Sequence, residues 1–409
     1  MRKQILFLCL ILAACSQQKS HELPVYIQEL DNLEIFQANQ HVPFEILFDH
    51  EKVFEDKEKI IGRPGRFLVD DSDRVFIEES TYDKAALLAF SEDGNFLHEI
   101  SRRGKGPGEF TSIFSIQYRF NRLIVHDAGM HRLQVFSTES DSFPLISTVL
   151  YQSDSWNHIE QLKNRKAPNT VFVRSDNNLL SGFIDPINYQ KNESQLADLK
   201  KRYYLLDQTG KAIEPFHLIF ESRAAGYLNL HPTIYLFPFL RKSLMAISKN
   251  DEIYSSWSED FLIQVYSPSG AYKRAIYYPV KKRSLGKNDD LLQKFIIEKA
   301  EAAREDPRLM ESHKEREKVL ASVMPNTWPA LEDLLIDDHD RLWVSTITDD
   351  SDTYNWWVLQ NSGELITKFT WPRNRQIEVV KNGKVYVRET EEETGLQQVV
   401  RYGFELEAR

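Results

Sequence analysis

Four groups of residues in this chain have types and spacings suited to chemistry. The segment Arg103-Gly-Lys-Gly-Pro-Gly-Glu-Phe110 sets Arg102, Arg103 and Lys105 around three glycines, a composition able to turn backbone N–H groups inward as an anion-binding nest. It lacks the Gly-Lys-Ser/Thr ending of a phosphate-binding loop. The plainer expectation is a structural corner in which Glu109 pairs with a neighbouring arginine. His126-Asp127 with His131 offers two nitrogens and a carboxylate to a divalent metal, although a polar loop that happens to hold two histidines is the commoner arrangement. Acidic pairs at Glu78-Glu79, Glu259-Asp260 and Asp349-Asp350 with Asp352, and the run Glu391 to Glu393, would hold Ca²⁺ only if they converged. Trp257, Trp356 and Trp357 are expected at a binding surface, where exposed tryptophan concentrates. No His-Glu-x-x-His, Gly-x-Ser-x-Gly or EF-hand loop occurs.

The N-terminus carries a different chemistry. Met1-Arg2-Lys3 precedes an apolar run from Ile5 to Leu12 and then Ala13-Ala14-Cys15, the charged, apolar and small-residue order of a signal peptide over residues 1–14. The run is too short to span a bilayer. Leu12-Ala13-Ala14-Cys15 resembles a bacterial lipobox, which makes Cys15 the expected lipidated residue and residues 15–22 a polar tether. The chain has 2 cysteines, and Cys9 leaves with the signal, so the mature protein has none to spare for an internal disulfide despite export. Acyl chains on Cys15 exceed the single-chain limit for reversible binding. No acidic cluster follows Cys15, which favours a periplasm-facing outer-membrane protein.

Positioning any of these groups requires a fold, and composition narrows it. The 409 residues are 42% hydrophobic, 12% aromatic and 27% charged, with 16 Gly and 16 Pro, which points to a sheet-rich packed chain. A formal charge of −10 and no long Lys/Arg block exclude nucleic acid as a partner. Phe67-Leu-Val-Asp-Asp-Ser-Asp-Arg-Val-Phe-Ile77 repeats as Leu334-Leu-Ile-Asp-Asp-His-Asp-Arg-Leu-Trp-Val344, strand, polar turn and strand. Weaker copies of the turn start at Arg119, Asp176, Lys249 and Lys381. A second strand pair follows each, turning near Gly94, Ser140, Gly210, Gly270, Gly363 and Gly403. Six four-stranded units over residues 62–409 give an all-β, six-bladed propeller. Residues 23–61 are left to close the ring, with Phe44–Phe48 or Lys52–Phe54 as the expected outer strand of blade six. Residues 283–325 read as a helical insertion between blades four and five, with apolar residues at helical spacing from Leu291 to Ala303 and a break at Pro307.

The signal segment, the repeat and the Gly-x-Gly-Pro-Gly-Glu-Phe110 segment together resemble the six-bladed β-propeller lipoproteins of the NHL/TolB-like type in Gram-negative bacteria. The resemblance implies fold and location more than activity; some propeller lactonases and hydrolases hold Ca²⁺ in the axial channel. In a four-stranded meander the first and third turns share one face, here the short-turn face. The middle loops and the crossovers between blades share the other. All the long insertions fall on the crossover face, so the ligand site and the channel opening are expected there. Two functions follow: a non-catalytic, lipid-anchored binding or scaffold protein for a protein, peptide or glycan, or a metal-assisted hydrolase or lyase using Ca²⁺ or Zn²⁺ in the channel. The first needs no cofactor.

Overall fold

The computed structural model describes residues 23–54, 61, 64–80, 85–185, 199–221, 226–227, 234–305, 310–391 and 395–409. Cys15, the signal segment and the tether lie outside the described residues. Six four-stranded antiparallel meanders form the blades. From the innermost strand outward, blade one is Pro64–Val69, Val75–Ser80, Ala85–Phe90 and Phe96–Ser101. Blade two is Ile113–Arg119, Arg122–Asp127, Arg132–Ser137 and Leu145–Leu150. Blade three begins with the short strand Thr170–Val173 and continues with Leu179–Ile184, Lys200–Leu206 and Ala212–Glu221. Blades four and five start at Ser243–Ile247 and Leu331–Ile336.

Blade six takes its inner three strands, Arg375–Lys381, Lys384–Thr390 and Gln397–Ala408, from the C-terminal region and its outer strand, Phe44–Phe54, from the N-terminal region. The two strand-like segments at Phe44 and Lys52 are therefore one strand, kinked by a register shift between His50 and Lys52. No turn forms at Gly403, which pairs with Asp49 inside a continuous strand. The hairpin expected there is replaced because its outer partner arrives from the other end of the chain. Upstream, Leu33–Ile35 adds a parallel fifth strand outside Tyr272–Tyr277 of blade four.

Each blade buries both faces, so the core is a ring of six interfaces. Trp357, Phe261 and Tyr278 fill the gap between blades four and five. Trp343, Trp356 and Trp371 fill that between five and six. A seventh apolar cluster lies under the helices Asp290–Glu305 and Met310–Val323, where Leu292 and Val319 meet Phe237, Phe239 and Trp328. Arg283 fixes the entry to the first helix through Asp289 at 3.0 Å and the carbonyls of Thr348 and Asp349. Asp289 caps the helix by accepting from the Leu292 N–H.

The repeated polar turn has a mechanical role. In blade one the Asp70 carboxylate accepts from the Ser72 and Arg74 N–H groups and from Arg74 Nε. In blade five Asp337 does the same for His339 and Arg341 and also takes Trp343 Nε1. Every first turn then places an Asp or Asn at positive φ: Asp73, Asn121, Asn177, Asp251, Asp340 and Asn382, the residue types that tolerate that conformation best after glycine. Side chains of these turns reach a neighbouring blade: Asp251 to Ser175, Asp340 to the Lys249 N–H, Asp338 to the Asn382 N–H, and Asp73 to Asn382, Lys384 and Tyr386. The turns thus latch neighbouring blades on the short-turn face.

Candidate functional site

The inner strands enclose an axial cavity of about 620 Å³. Its walls are apolar, with Leu68, Val173, Met245, Ile247, Leu335 and Val379 drawn from five blades and more from the same strands. Its rim consists of residues of the first turns: Asp71, Phe120, Lys249, Asp338 and Lys381. The cavity therefore opens on the short-turn face and not, as expected from the insertions, on the crossover face. At the crossover end the inner strands and their neighbours carry paired charges: Lys242 with Glu332, Arg388 with Glu378 at 2.7 Å, and Arg66 with Glu78 at 3.0 Å. Glu378 of these pairs also reaches the cavity wall.

At the rim, Lys381 Nζ lies 2.6 Å from Asp71 and 4.4 Å from the centre of the Tyr118 ring, whose hydroxyl donates to Asp71 at 3.0 Å. Burial alone would raise the Asp71 carboxyl; the Lys381 hydrogen bond and charge override it and hold Asp71 below its ordinary value. Burial, with the Asp71 charge, pushes the Tyr118 phenol up to about 12. Arg119 reaches past the short inner strand of blade three, donating to the carbonyls of Val173, Ser248 and Lys249 and pairing with Asp251 at 2.8 Å. Phe120 is held at φ 54° and is 48% exposed, with the Arg119 guanidinium 5.0 Å over its ring. Among the described residues no ion pair engages the Lys249 ammonium. The mouth thus joins an apolar throat to an exposed aromatic ring and charges of both signs, the makings of a binding surface. Among the described residues no nucleophile paired with a base lines it.

The residues singled out from sequence are distributed as follows. Arg103 and Lys105 are exposed on the crossover corner. The nest beside them is filled by the chain itself: Glu109 accepts from the Gly106 N–H at 2.9 Å and from Arg102 at 3.2 Å, interactions that lower its pKa. Gly104 lies so close to the Glu109 carboxylate that a Cβ there would clash with it. Buried Arg132 and Gln134 bind the carbonyl of Glu109 and tie the corner down.

The His126, Asp127 and His131 group does not converge. Asp127 is fully buried and accepts from Thr111 and Ser112 while pairing with Arg132. His126 is 1% exposed, with both ring nitrogens unpartnered and its edge toward Phe114 and Tyr151. Burial pulls its pKa down to about 4. His131 alone is exposed. Trp356 and Trp357 are 1% and 2% exposed. Alternate residues of a strand point to opposite faces, and both faces of a blade are interior, so this pair fills two interfaces and offers no surface. Trp257 is half-buried.

The acidic loops are likewise occupied: Glu259 pairs with Arg241 and Lys282, Asp260 with Lys282, Asp349 with Lys281 and Asp352 with Lys294. Among the described residues the one group of carboxylate and imidazole atoms close enough for a shared cation is Asp337, Asp338 and His339, and Asp337 is spent on its turn. At the crossover end the Asp333 carboxylate, which accepts from the Ser345 hydroxyl, has its pKa raised to about 6 by burial and then by the Glu332 charge. Sequence reasoning missed the mouth residues. The available signal was Phe120, an aromatic in a turn position that the other five copies fill with polar residues or glycine.

Residues 55–218, which span blade one through most of blade three, match a family model described as DUF5128, 6-bladed beta-propeller. The chain is a six-bladed β-propeller. No curated protein matches it by sequence. A DUF4221 family member from Bacteroides vulgatus shares its fold at a TM-score of 0.51 and 11% identity, over 89% of this chain and 99% of that one. A Bacteroides fragilis protein whose given name calls it exported is similar at a TM-score of 0.47 and 12% identity, over 91% and 99%. A virginiamycin B lyase from Staphylococcus aureus reaches 0.36 and 8% identity, over 88% and 99%. No helix among the described residues is long and apolar enough to cross a membrane.

Proposed function

We propose that the protein is an exported, lipid-anchored propeller that binds a protein or peptide ligand at the mouth of its axial channel, without catalysis. The observation that carries this reading is the cavity of about 620 Å³ with its apolar wall and mixed-charge rim. An apolar tip flanked by charges of both signs is the ligand chemistry that suits it. Export and the lipid on Cys15 rest on the N-terminal sequence. Tyr26 donates its hydroxyl to Asp260 in the crossover-face loop of blade four, so the tether of residues 15–22, at no more than about 3.6 Å per residue, would hold that face toward the lipid and turn the channel mouth away from it.

A photo-crosslinking amino acid placed at position 120 or 338, and in parallel at 103 or 131, tests the choice of face in a Gram-negative host carrying the full chain. Crosslinks from 120 and 338 with none from 103 and 131 are expected. The reverse pattern returns the site to the crossover face. Cys15→Ser is expected to leave an uncleaved or released, unacylated chain; a variant that still partitions into detergent as a mature acylated protein refutes the anchor.

A further inference from the structure

Between blades two and three, on the outer side of Phe120, a second cavity of about 230 Å³ runs into the core. Ile124, Leu133 and Val149 of blade two face Val173 and Leu179 of blade three across it. The interface between these two blades carries four buried aromatic rings, Tyr151, Trp156, Phe183 and Tyr204. None of them lines the cavity, so its half of the interface is left with aliphatic side chains and a gap. Among the described residues no Asp or Glu lines it. Its polar groups are those of Arg119, Arg122, Asn177, Gln208, Ser147 and Thr148. Both terminal nitrogens of Arg119 are engaged by backbone carbonyls and Asp251. Arg122 is exposed, and among the described residues its one hydrogen bond goes to Asn177 at 3.1 Å, which leaves Nε and the second amino group open.

The geometry points to a binding site for a short aliphatic carboxylate, its hydrocarbon between the two blades and its head on Arg122 with the Asn177 and Gln208 amides. A guanidinium with open donors matches a carboxylate geometrically, and the absence of acidic side chains from the lining leaves its charge unopposed. The wall strands Arg122–Asp127, Arg132–Ser137 and Leu179–Ile184 have their backbone paired on both sides within the blades, whereas the outer strand Leu145–Leu150 has an open edge, so the interior of the cavity suits an acyl chain better than a peptide end, which would need backbone partners. Phe120, an aromatic residue in a conformation uncommon outside glycine, asparagine and aspartate, stands at the lip shared with the axial channel. This site does not depend on the proposed role of the channel.

Titration calorimetry of the full chain with octanoate, octan-1-ol and octylammonium tests it. Saturable octanoate binding is expected, at least tenfold tighter than either analogue, weakening about fourfold for each methylene removed. Arg122→Gln should weaken octanoate at least tenfold and leave octan-1-ol unchanged. Ser147→Phe, a change at an exposed position of the lining, should abolish binding of both without shifting the melting temperature. Equal affinity for the acid and the alcohol, or indifference to Arg122→Gln, overturns the carboxylate site. Indifference to Ser147→Phe overturns the cavity as its place. A Leu-terminated tripeptide that binds more tightly than octanoate overturns the acyl assignment.

Discussion

The two faces of the disc are built by opposite means. On the short-turn face a repeated Asp and Asn grammar ties each blade to the next, and the hollow opens within that ring. On the crossover face the sequence is not repeated. There the insertions bring helices and corners that close over apolar clusters and neutralise their own charges. Insertion length is therefore a poor guide to where the cavity lies. A long insertion is as much a cover as a binding loop, while a short turn repeated around an axis creates an opening by symmetry.

The largest effect that would break this contrast concerns the ring itself. Deleting residues 23–54 removes the outer strand of blade six, exposes the edge of Gln397–Ala408 and empties the places of buried Ile46 and Phe54. Loss of cooperative unfolding is expected by calorimetry; a truncated protein that melts like the parent refutes the closure. Next comes the latch. Asp337→Ala strands the guanidinium of Arg341 and the indole N–H of Trp343, and should cost about 3–5 kcal/mol in urea unfolding. A loss below about 1 kcal/mol would mean that the repeated turn is decorative.

Two crossover-face groups sharpen the comparison through pH. His126 titrates near 6.5 when unfolded and about 4 when folded, so the unfolded state binds its proton first as pH falls. Stability should drop by up to about 3 kcal/mol between pH 6.5 and 4. His126→Phe should remove that slope, as read from urea midpoints at pH 7.5 and 4.5. Asp333 has the opposite sign. Its folded pKa of about 6 lies above the unfolded value, so its penalty grows as pH rises from about 4 to 6 and is complete above that. Asp333→Asn should gain about 1–2 kcal/mol at pH 7.5 and progressively less toward pH 4. Smallest of all, Lys105→Ala and His131→Ala, at exposed positions, should change stability by less than about 0.5 kcal/mol. A larger loss would give these loops a structural role that the short-turn face is assigned here.

The fold was legible because its evidence is local and repeated. Asp-Asp-x-Asp-Arg announces both the turn and the phase of the strands on either side. Cavity and site were less so. Whether Trp356 lies inside or outside depends on whether the far face of its blade has a neighbour, which strand alternation alone does not tell. The axial cavity depends on side-chain volumes at Leu68, Val173, Met245, Leu335 and Val379, which lie far apart in the chain and meet only when the ring is closed. His126 has the type and spacing of a metal ligand, although an incidental polar loop is the commoner expectation; its neighbours Phe114 and Tyr151 make it a buried ring. Glu109 was readable as the partner of an arginine, since both sit in one short segment.

The seam in blade six also sets an order of events. Phe44–Phe54 is made early and its partner Gln397–Ala408 only after the five intervening blades, so during synthesis the first long strand has nothing to pair with. Closing so long a loop is entropically slow to reward and places the decisive contact at the highest sequence separation in the molecule. Until then, five completed meanders form an open arc with two bare edges, the state most exposed to aggregation and to proteases. The ring becomes a ring only when Phe44–Phe54 meets Gln397–Ala408, which makes arrival of that region the committing step of folding.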